Sequence, residues 1–269
     1  MKLATLGPRG TFSHEAALSL DPNAEILFQR TIHDVFEQTA AGIAETGLVP
    51  LENSVSGSVG ETLDALTGTE LTIEREIIHP IVQNLAVTKR TSTVKTILAH
   101  PQSYSQCEGF LQKYYPEVEI IPTSSNGKSA EMLQDSERED LGAILPDLAI
   151  ERYELEKLRS AIQDNRYNVT RFVLISNSTT QATGYDRTSL AIYPQIDHPG
   201  LLHEMLGILS SRGINLSKIE SRPSKGKLGD YIFFIDIQGH LQDPPVSEAL
   251  EDLRKKAFLK VLGSYPRQY

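Results

Sequence analysis

Short apolar, β-branched runs alternate with stretches of helical spacing along most of the chain. Residues 3–7, 25–29 and 47–52 predict strands, and residues 11–20 and 31–42 between them repeat their apolar positions as a helix does. A helix over 57–67 follows, then strands over 71–78 and 82–88. The order continues as strand 94–100, helix 101–115, strand 118–123, helix 126–136 and strand 141–146. Repeated β-α-β order predicts an α/β domain with largely parallel sheets. The pattern is less regular around 71–89 and 158–170, where a chain would cross between two lobes. Such a domain carries its ligand in the cleft between lobes, at the C-terminal ends of strands.

Residues 177–189 are rich in Ser, Thr and Gly, have no apolar period and read as a linker. Beyond them come a strand (188–194), a helix ending at Gly213, strands over 216–223 and 230–239, a helix over 245–257 and a last strand over 259–265. The order βαββαβ predicts a ferredoxin-like split unit.

A net charge of −9 argues against a nucleic-acid partner. No apolar run approaches the roughly 20 residues that span a bilayer, and the first ten residues do not form a signal peptide. The single cysteine, Cys107, rules out an internal disulfide or a multi-cysteine metal site and falls in an apolar helical phase, as a core residue would. His14, His79 and His100 have no metal-ligand spacing. These features predict a cytoplasmic protein, off the membrane and without metal or cofactor.

Three segments place glycines and small hydroxyl or amide residues where a strand feeds a helix: Gly7, Gly10, Thr11 and Ser13; Asn53, Ser54, Ser56 and Ser58; and Ser124, Ser125, Asn126 and Gly127, with Lys128 beside them. Free N–H groups at helix starts favour negative charge. Ordinary capping is the alternative, with Thr11 as an N-cap and Ser58-x-x-Glu61 as a capping box. Capping alone does not predict that three such starts converge on one cleft. The pentapeptide Asn168-Val169-Thr170-Arg171-Phe172 opens a buried strand. Extended geometry sends Thr170 and Arg171 to opposite faces unless a bulge re-aims them.

That pentapeptide stands in order with LGPRGTFSHEAA (6–17), VPLENSVSGSVGETLDAL (49–66) and ESRP (220–223). On these motifs the chain resembles the monofunctional prephenate dehydratases with a C-terminal ACT regulatory domain. The resemblance implies a two-lobed, periplasmic-binding-protein-like catalytic domain over 1–177, with lobes of about 1–78 plus 165–177 and 79–164, followed by an ACT domain over 188–265. It implies conversion of prephenate to phenylpyruvate in phenylalanine biosynthesis, with Thr170 assisting the departing hydroxyl and Arg171 clamping a carboxylate. Thr11, Phe12, Ser13, Asn53, Ser54, Ser58, Ser125, Asn126 and Phe172 would complete the substrate site. Glu52 carries two readings, a general acid or a buried residue bonded to loop amides. In the ACT domain, Gly200, Leu201, Leu202, Asn215, Leu216, Glu220, Ser221 and Arg222 would hold L-phenylalanine as feedback inhibitor across a homodimer or homotetramer interface. The same motifs admit an arogenate dehydratase, and the two-lobed plan admits a non-catalytic amino-acid-responsive binding protein. No chorismate mutase segment is expected ahead of the first strand.

Overall fold

The computed structural model describes residues 1–194, 198–224 and 230–269. The first lobe is built from β1 (Lys2–Leu6), α1 (Phe12–Leu20), β2 (Glu25–Gln29), α2 (Ile32–Ala40), β3 (Thr46–Asn53), β4 (Gly57–Ser58), α3 (Gly60–Thr67) and β5 (Thr72–Pro80). The chain then crosses to a second lobe of β6 (Asn84–Val87), β7 (Thr96–Ala99), α4 (Pro101–Ser105), α5 (Glu108–Tyr114), β8 (Glu119–Pro122), α6 (Asn126–Gln134), β9 (Leu141–Leu145), α7 (Asp147–Arg152) and β10 (Glu156–Arg159). It returns through β11 (Val169–Ser176), the strand that begins with the pentapeptide. The C-terminal domain follows as β12 (Asp186–Pro194), α8 (Leu201–Ser210), β13 (Leu216–Pro223), β14 (Tyr231–Gln238), α9 (Pro244–Arg254) and β15 (Ala257–Pro266).

Each lobe's sheet is parallel on one side, out to the edge strand, and antiparallel on the other. In the first lobe β1 lies between β2 and β3 in parallel, and β11 and β5 add to that sheet antiparallel. In the second, β7 is parallel to β8 and β9, while β6 and β10 are antiparallel. Of the strands beside the crossings, β6 and β11 enter from the other lobe, and both run antiparallel to their neighbours. The two crossings are bonded to each other: Ile81 N–H donates to Asn168 O at 2.9 Å, and Ile162 N–H to Gln83 O at 2.8 Å.

Several local expectations change. The helix expected over 101–115 is two helices, because the Asp164 carboxylate accepts from the N–H groups of Gly109 and Phe110, both at 2.9 Å, and starts a new one. Cys107 sits at that break, fully buried beside Leu85 and Ile97, and burial pushes its thiol pKa up. The capping box at Ser58 does not form. Gly57 and Ser58 pair with Asn53 and Glu52 as a short strand, so α3 begins at Gly60 behind Val59, with no side-chain cap. Helix α7 and the start of strand β10 lie in residues 147–157, to which the sequence pattern assigned no element. The expected linker is ordered at its end, where the Asp186 carboxylate accepts from Thr183 as β12 begins.

The C-terminal sheet has the order β13-β14-β12-β15, with α8 and α9 on one face over a core that includes Leu190, Met205, Ile235 and Leu253. Its other face packs on the first lobe, where Phe234 and Leu262 join Leu66, Ile73 and Val173 in one apolar cluster. The two sheets are continuous through β15 and β5, paired at Gly263 and Ile73. Glycine is required there: a Cβ on residue 263 would lie 2.3 Å from the Ile73 carbonyl oxygen. No described helix is long and apolar enough to cross a membrane.

Candidate active-site cleft

Alternation along β11 decides which side chains meet. Thr170 and Phe172 line a cavity of about 300 Å³ between the lobes, while Val169 and Arg171 face a separate pocket behind the sheet. The first lobe supplies Thr11, Phe12 and Ser13 from the start of α1, together with Pro50 and Asn53 from β3. The second supplies Ser124, Ser125 and Asn126 at the start of α6, and His100, Gln102, Ser103 and Gln106 around α4. Ile81 and Gln83 come from the first crossing. The lobes touch beside the cavity: a Cβ on Gly127 would lie 2.4 Å from the Arg9 carbonyl oxygen. Glu15 of α1 also reaches across to accept from the Leu148 N–H at 2.9 Å.

Thr170 is held by its cross-strand partner. Asn53 Nδ2 donates to Thr170 Oγ1 at 3.0 Å, to Asn168 Oδ1 at 2.7 Å and to Val169 O at 3.1 Å. Its Oδ1 accepts from the N–H groups of Val55 and Ser56, which fixes the amide orientation. With an N–H occupying a lone pair of Thr170 Oγ1, its O–H is left as a donor into the cavity.

Two nine-residue helices aim their N-termini at the same space from opposite lobes. In α1 the Thr11 side chain accepts from His14 N–H, and in α6 the Ser125 side chain accepts from Lys128 N–H. Capping thus satisfies the third residue of each helix and leaves the first two N–H groups for a ligand. Capping at each start is therefore compatible with ligand binding there. Further in, Gln83 Nε2 donates to Ser103 Oγ (3.2 Å) and to Gln106 Oε1 (3.1 Å), and Ser103 Oγ donates to Asn126 Oδ1 (3.1 Å). Gln83 Oε1 and Asn126 Nδ2 are buried without a protein partner, one acceptor and one donor bordering the cavity. A buried polar atom left unpaired is costly, and a polar ligand would satisfy both.

No Asp, Glu, Lys or Arg borders this cavity among the described residues. Its titratable side chain, His100, is pushed down in pKa by burial, and its Nδ1 accepts the Gln102 N–H as the cap of α4. Next to the cleft, burial first and then Arg152 and Arg9 push His14 down to about 4, and its Nδ1 accepts the Gly10 N–H.

Four of the residues assigned to the cleft from the sequence lie elsewhere. Arg171 does not reach it: Nη1 is 2.6 Å from Asp236 Oδ2, Nε is 2.8 Å from Glu76 Oε2, and Nη2 donates to the Tyr265 hydroxyl at 2.7 Å. Burial works against its charge, but Tyr265, Asp236 and Glu76 outweigh that and hold the guanidinium protonated. Glu52, opposite Arg171 on β3, faces the same way, with Oε1 3.2 Å from Lys218 Nζ. Ser58 accepts from Lys218 as well. Ser54 Oγ donates to Tyr167 O and accepts from Val169 N–H, which ties down the start of β11.

In the C-terminal domain, Gly200 caps α8 with a φ of 95°, Leu201 packs in the core and Leu202 against it. Asn215 and Leu216 follow the far end of α8, about 15 Å away at the rise of an α-helix, so one chain does not bring the two loops together. Glu220 and Arg222 turn toward the first lobe, where Arg222 lies 3.4 Å from Asp64 Oδ2 and 3.6 Å from Glu220 Oε1. Ser221 alternates to the exposed side.

Gln83, His100, Ser103 and Gln106 were not anticipated as cleft residues. The available signal was weak: a Gln-Asn pair within a strand-like run, and polar residues on the buried side of a short helix. His33, Asp34 and Glu37 of α2 are spaced closely enough to hold a metal ion. They lie on the surface of the first lobe, and Asp34 already closes the capping box with Thr31.

The chain matches the family model for prephenate dehydratase over residues 3–180 and the model for the ACT domain over residues 195–255. It is 36% identical to the prephenate dehydratase of Bacillus subtilis over 280 residues, covering 98% of each chain. It is 39% identical over 270 residues to the bifunctional chorismate mutase/prephenate dehydratase of Aquifex aeolicus, covering 99% of this chain and 74% of that one. The crystal structure of prephenate dehydratase from Arthrobacter aurescens in complex with L-Phe superposes with a TM-score of 0.91 at 36% identity, covering 99% of this chain and 90% of that one. The sequence motifs, the two-lobed fold and these matches agree that the chain belongs to the prephenate dehydratase family and carries a C-terminal ACT domain.

Proposed function

We propose that the protein is a prephenate dehydratase, a carbon–oxygen lyase that forms phenylpyruvate and is feedback-inhibited by L-phenylalanine. The observation that carries the reading is the Thr170 hydroxyl, fixed as a donor by Asn53 inside a cavity entered by two helix N-termini. Prephenate is a dianion, and the free N–H groups at the starts of α1 and α6 suit its carboxylates. When the carboxylate on the ring leaves as carbon dioxide, its bonding electrons enter the ring and expel the ring hydroxyl as hydroxide, which takes up a proton from solvent water. Thr170 donates its hydrogen bond to that leaving oxygen. A bare threonine hydroxyl is a very weak acid, so its part is directed stabilisation of developing charge rather than release of a free proton. Pro50, Val59 and Phe172 give the departing carbon dioxide an apolar surface. Aromatisation supplies the driving force, so the proposed step draws on positioning and one donor, without a cofactor.

We assign catalysis to residues 1–177 and effector binding to the ACT domain over 188–265, in a cytoplasmic homodimer or homotetramer. The two halves of the expected effector site, around Gly200–Leu202 and around Asn215–Leu216, stand at opposite ends of α8. A second copy is therefore needed to join them.

Phenylpyruvate formation from prephenate, with and without millimolar L-phenylalanine, tests both halves. Turnover that falls with phenylalanine is expected. Turnover indifferent to it would remove the effector assignment, and activity on arogenate in place of prephenate would move the substrate to the amino analogue. Inertness to both would favour a binding protein.

A further inference from the structure

The pairing of β3 with β11 sets two cross-strand rungs side by side. Asn53 opposite Thr170 turns to the cleft, and Glu52 opposite Arg171 turns to the ACT sheet. Both members of the second rung are gripped from the ACT domain. Arg171 is held by Asp236 of β14 and Tyr265 of β15, and Glu52 by Lys218 of β13. Ser189 of β12 completes the grip, with its hydroxyl 2.6 Å from both Asp236 Oδ1 and the Tyr265 hydroxyl. None of these contacts builds the ACT core, which lies on the helical face of the sheet. Buried ion pairs of this kind add little to stability over an apolar replacement, so stability alone does not account for them.

Neighbouring side chains on a strand share one backbone, and a shift of one moves the next. Displacing the anchor of Arg171 or Glu52 therefore slides Thr170 against Asn53, whose 3.0 Å hydrogen bond defines the donor. We propose that Asp236 and Lys218 are positioning residues: acting through Arg171 and Glu52, they let the ACT sheet of the same chain set the placement of the Thr170 hydroxyl. This rests on the reading of Thr170 as the catalytic donor. A ligand that shifts the ACT sheet then reaches the cleft through a single residue step on each of two strands, without entering the cavity. The sheet is the element whose two arrangements both sites would bias.

The test uses the full-length chain with Asp236→Asn, Tyr265→Phe and Lys218→Met, measuring kcat and KM for prephenate, thermal melting and the response to L-phenylalanine. In each variant kcat is expected to fall by about tenfold while KM stays within about twofold, with a weaker response to phenylalanine. In an Arg171→Lys background, Asp236→Asn should add little, because both act through one guanidinium. Tyr265→Phe removes a neutral hydroxyl without leaving a charge unpaired, so it carries the test if Asp236→Asn does not fold. Wild-type kcat and wild-type inhibition in Tyr265→Phe and Lys218→Met would overturn the proposal. Wild-type protein inert to prephenate would instead overturn the functional reading, and this proposal with it.

Discussion

The two faces of the β3–β11 pair differ in kind. The cleft face is lined by hydroxyls, amides and apolar groups, with no acidic, lysine or arginine side chain among the described residues. The ACT face carries Arg171, Glu76, Arg187 and Asp236, all almost wholly buried and balanced two against two. One strand thus divides its labour by parity. The side that meets a charged, transient ligand uses neutral dipoles, while the side that meets a permanent partner uses full charges. A dipole fixed by a helix binds an anion without an opposite charge that needs its own neutralisation when the site is empty. A buried guanidinium needs partners at all times, and the ACT sheet provides them.

The largest test of this contrast is on the cleft side. Thr170→Val should lower kcat by about 100- to 1,000-fold, the usual cost of losing one directed donor. Its midpoint in guanidinium chloride should stay near wild type, and near-normal turnover would remove Thr170 from the reaction. The same measurements on Glu76→Gln should put the larger effect on stability, with kcat falling only by the roughly tenfold expected when an anchor of Arg171 is lost. Its carboxylate meets both Arg171 and Arg187, at 2.8 and 2.5 Å, and unbalancing a buried ion network costs about 3–5 kcal/mol of stability. A midpoint unchanged in that variant would mean the charges are better hydrated than their burial indicates. The smallest expected effect concerns salt. Raising ionic strength from about 0.05 to about 0.5 M should change KM for prephenate by less than about twofold, because no mobile charge pair grips the substrate. A KM that climbs steeply with salt would point to a cationic group entering the cleft.

Much of the architecture was legible in the sequence because both of its periods are strong. The helix starts at Thr11 and Ser125 announce themselves by small polar residues after a strand, and the βαββαβ order is complete. Alternation also showed that Thr170 and Arg171 part company. What one strand cannot show is which parity faces which neighbour, since that depends on β14 and β15, more than sixty residues away. Arg171 was therefore assigned to the cleft although its partners are Asp236 and Tyr265. Glu52 and Ser58 were misplaced for the same reason: the partner that orients them, Lys218, belongs to another domain. Gln83 escaped notice because a buried amide at a crossing has no periodic signature. Its role exists only once two lobes close around it.

The join at Gly263 and Ile73 has a consequence for how the molecule comes apart. Because β15 extends the sheet that holds the catalytic strand, the regulatory domain is the lateral cover of its neighbour's sheet as well as a module carried behind a linker. Cutting it away would uncover the β5 edge at Ile73 and the apolar surface of Leu66 and Val173 beneath the ACT sheet, and would strand Arg171 without its carboxylate from β14. The two units are therefore expected to melt in one cooperative transition. A catalytic fragment alone would be handicapped before any question of regulation arises.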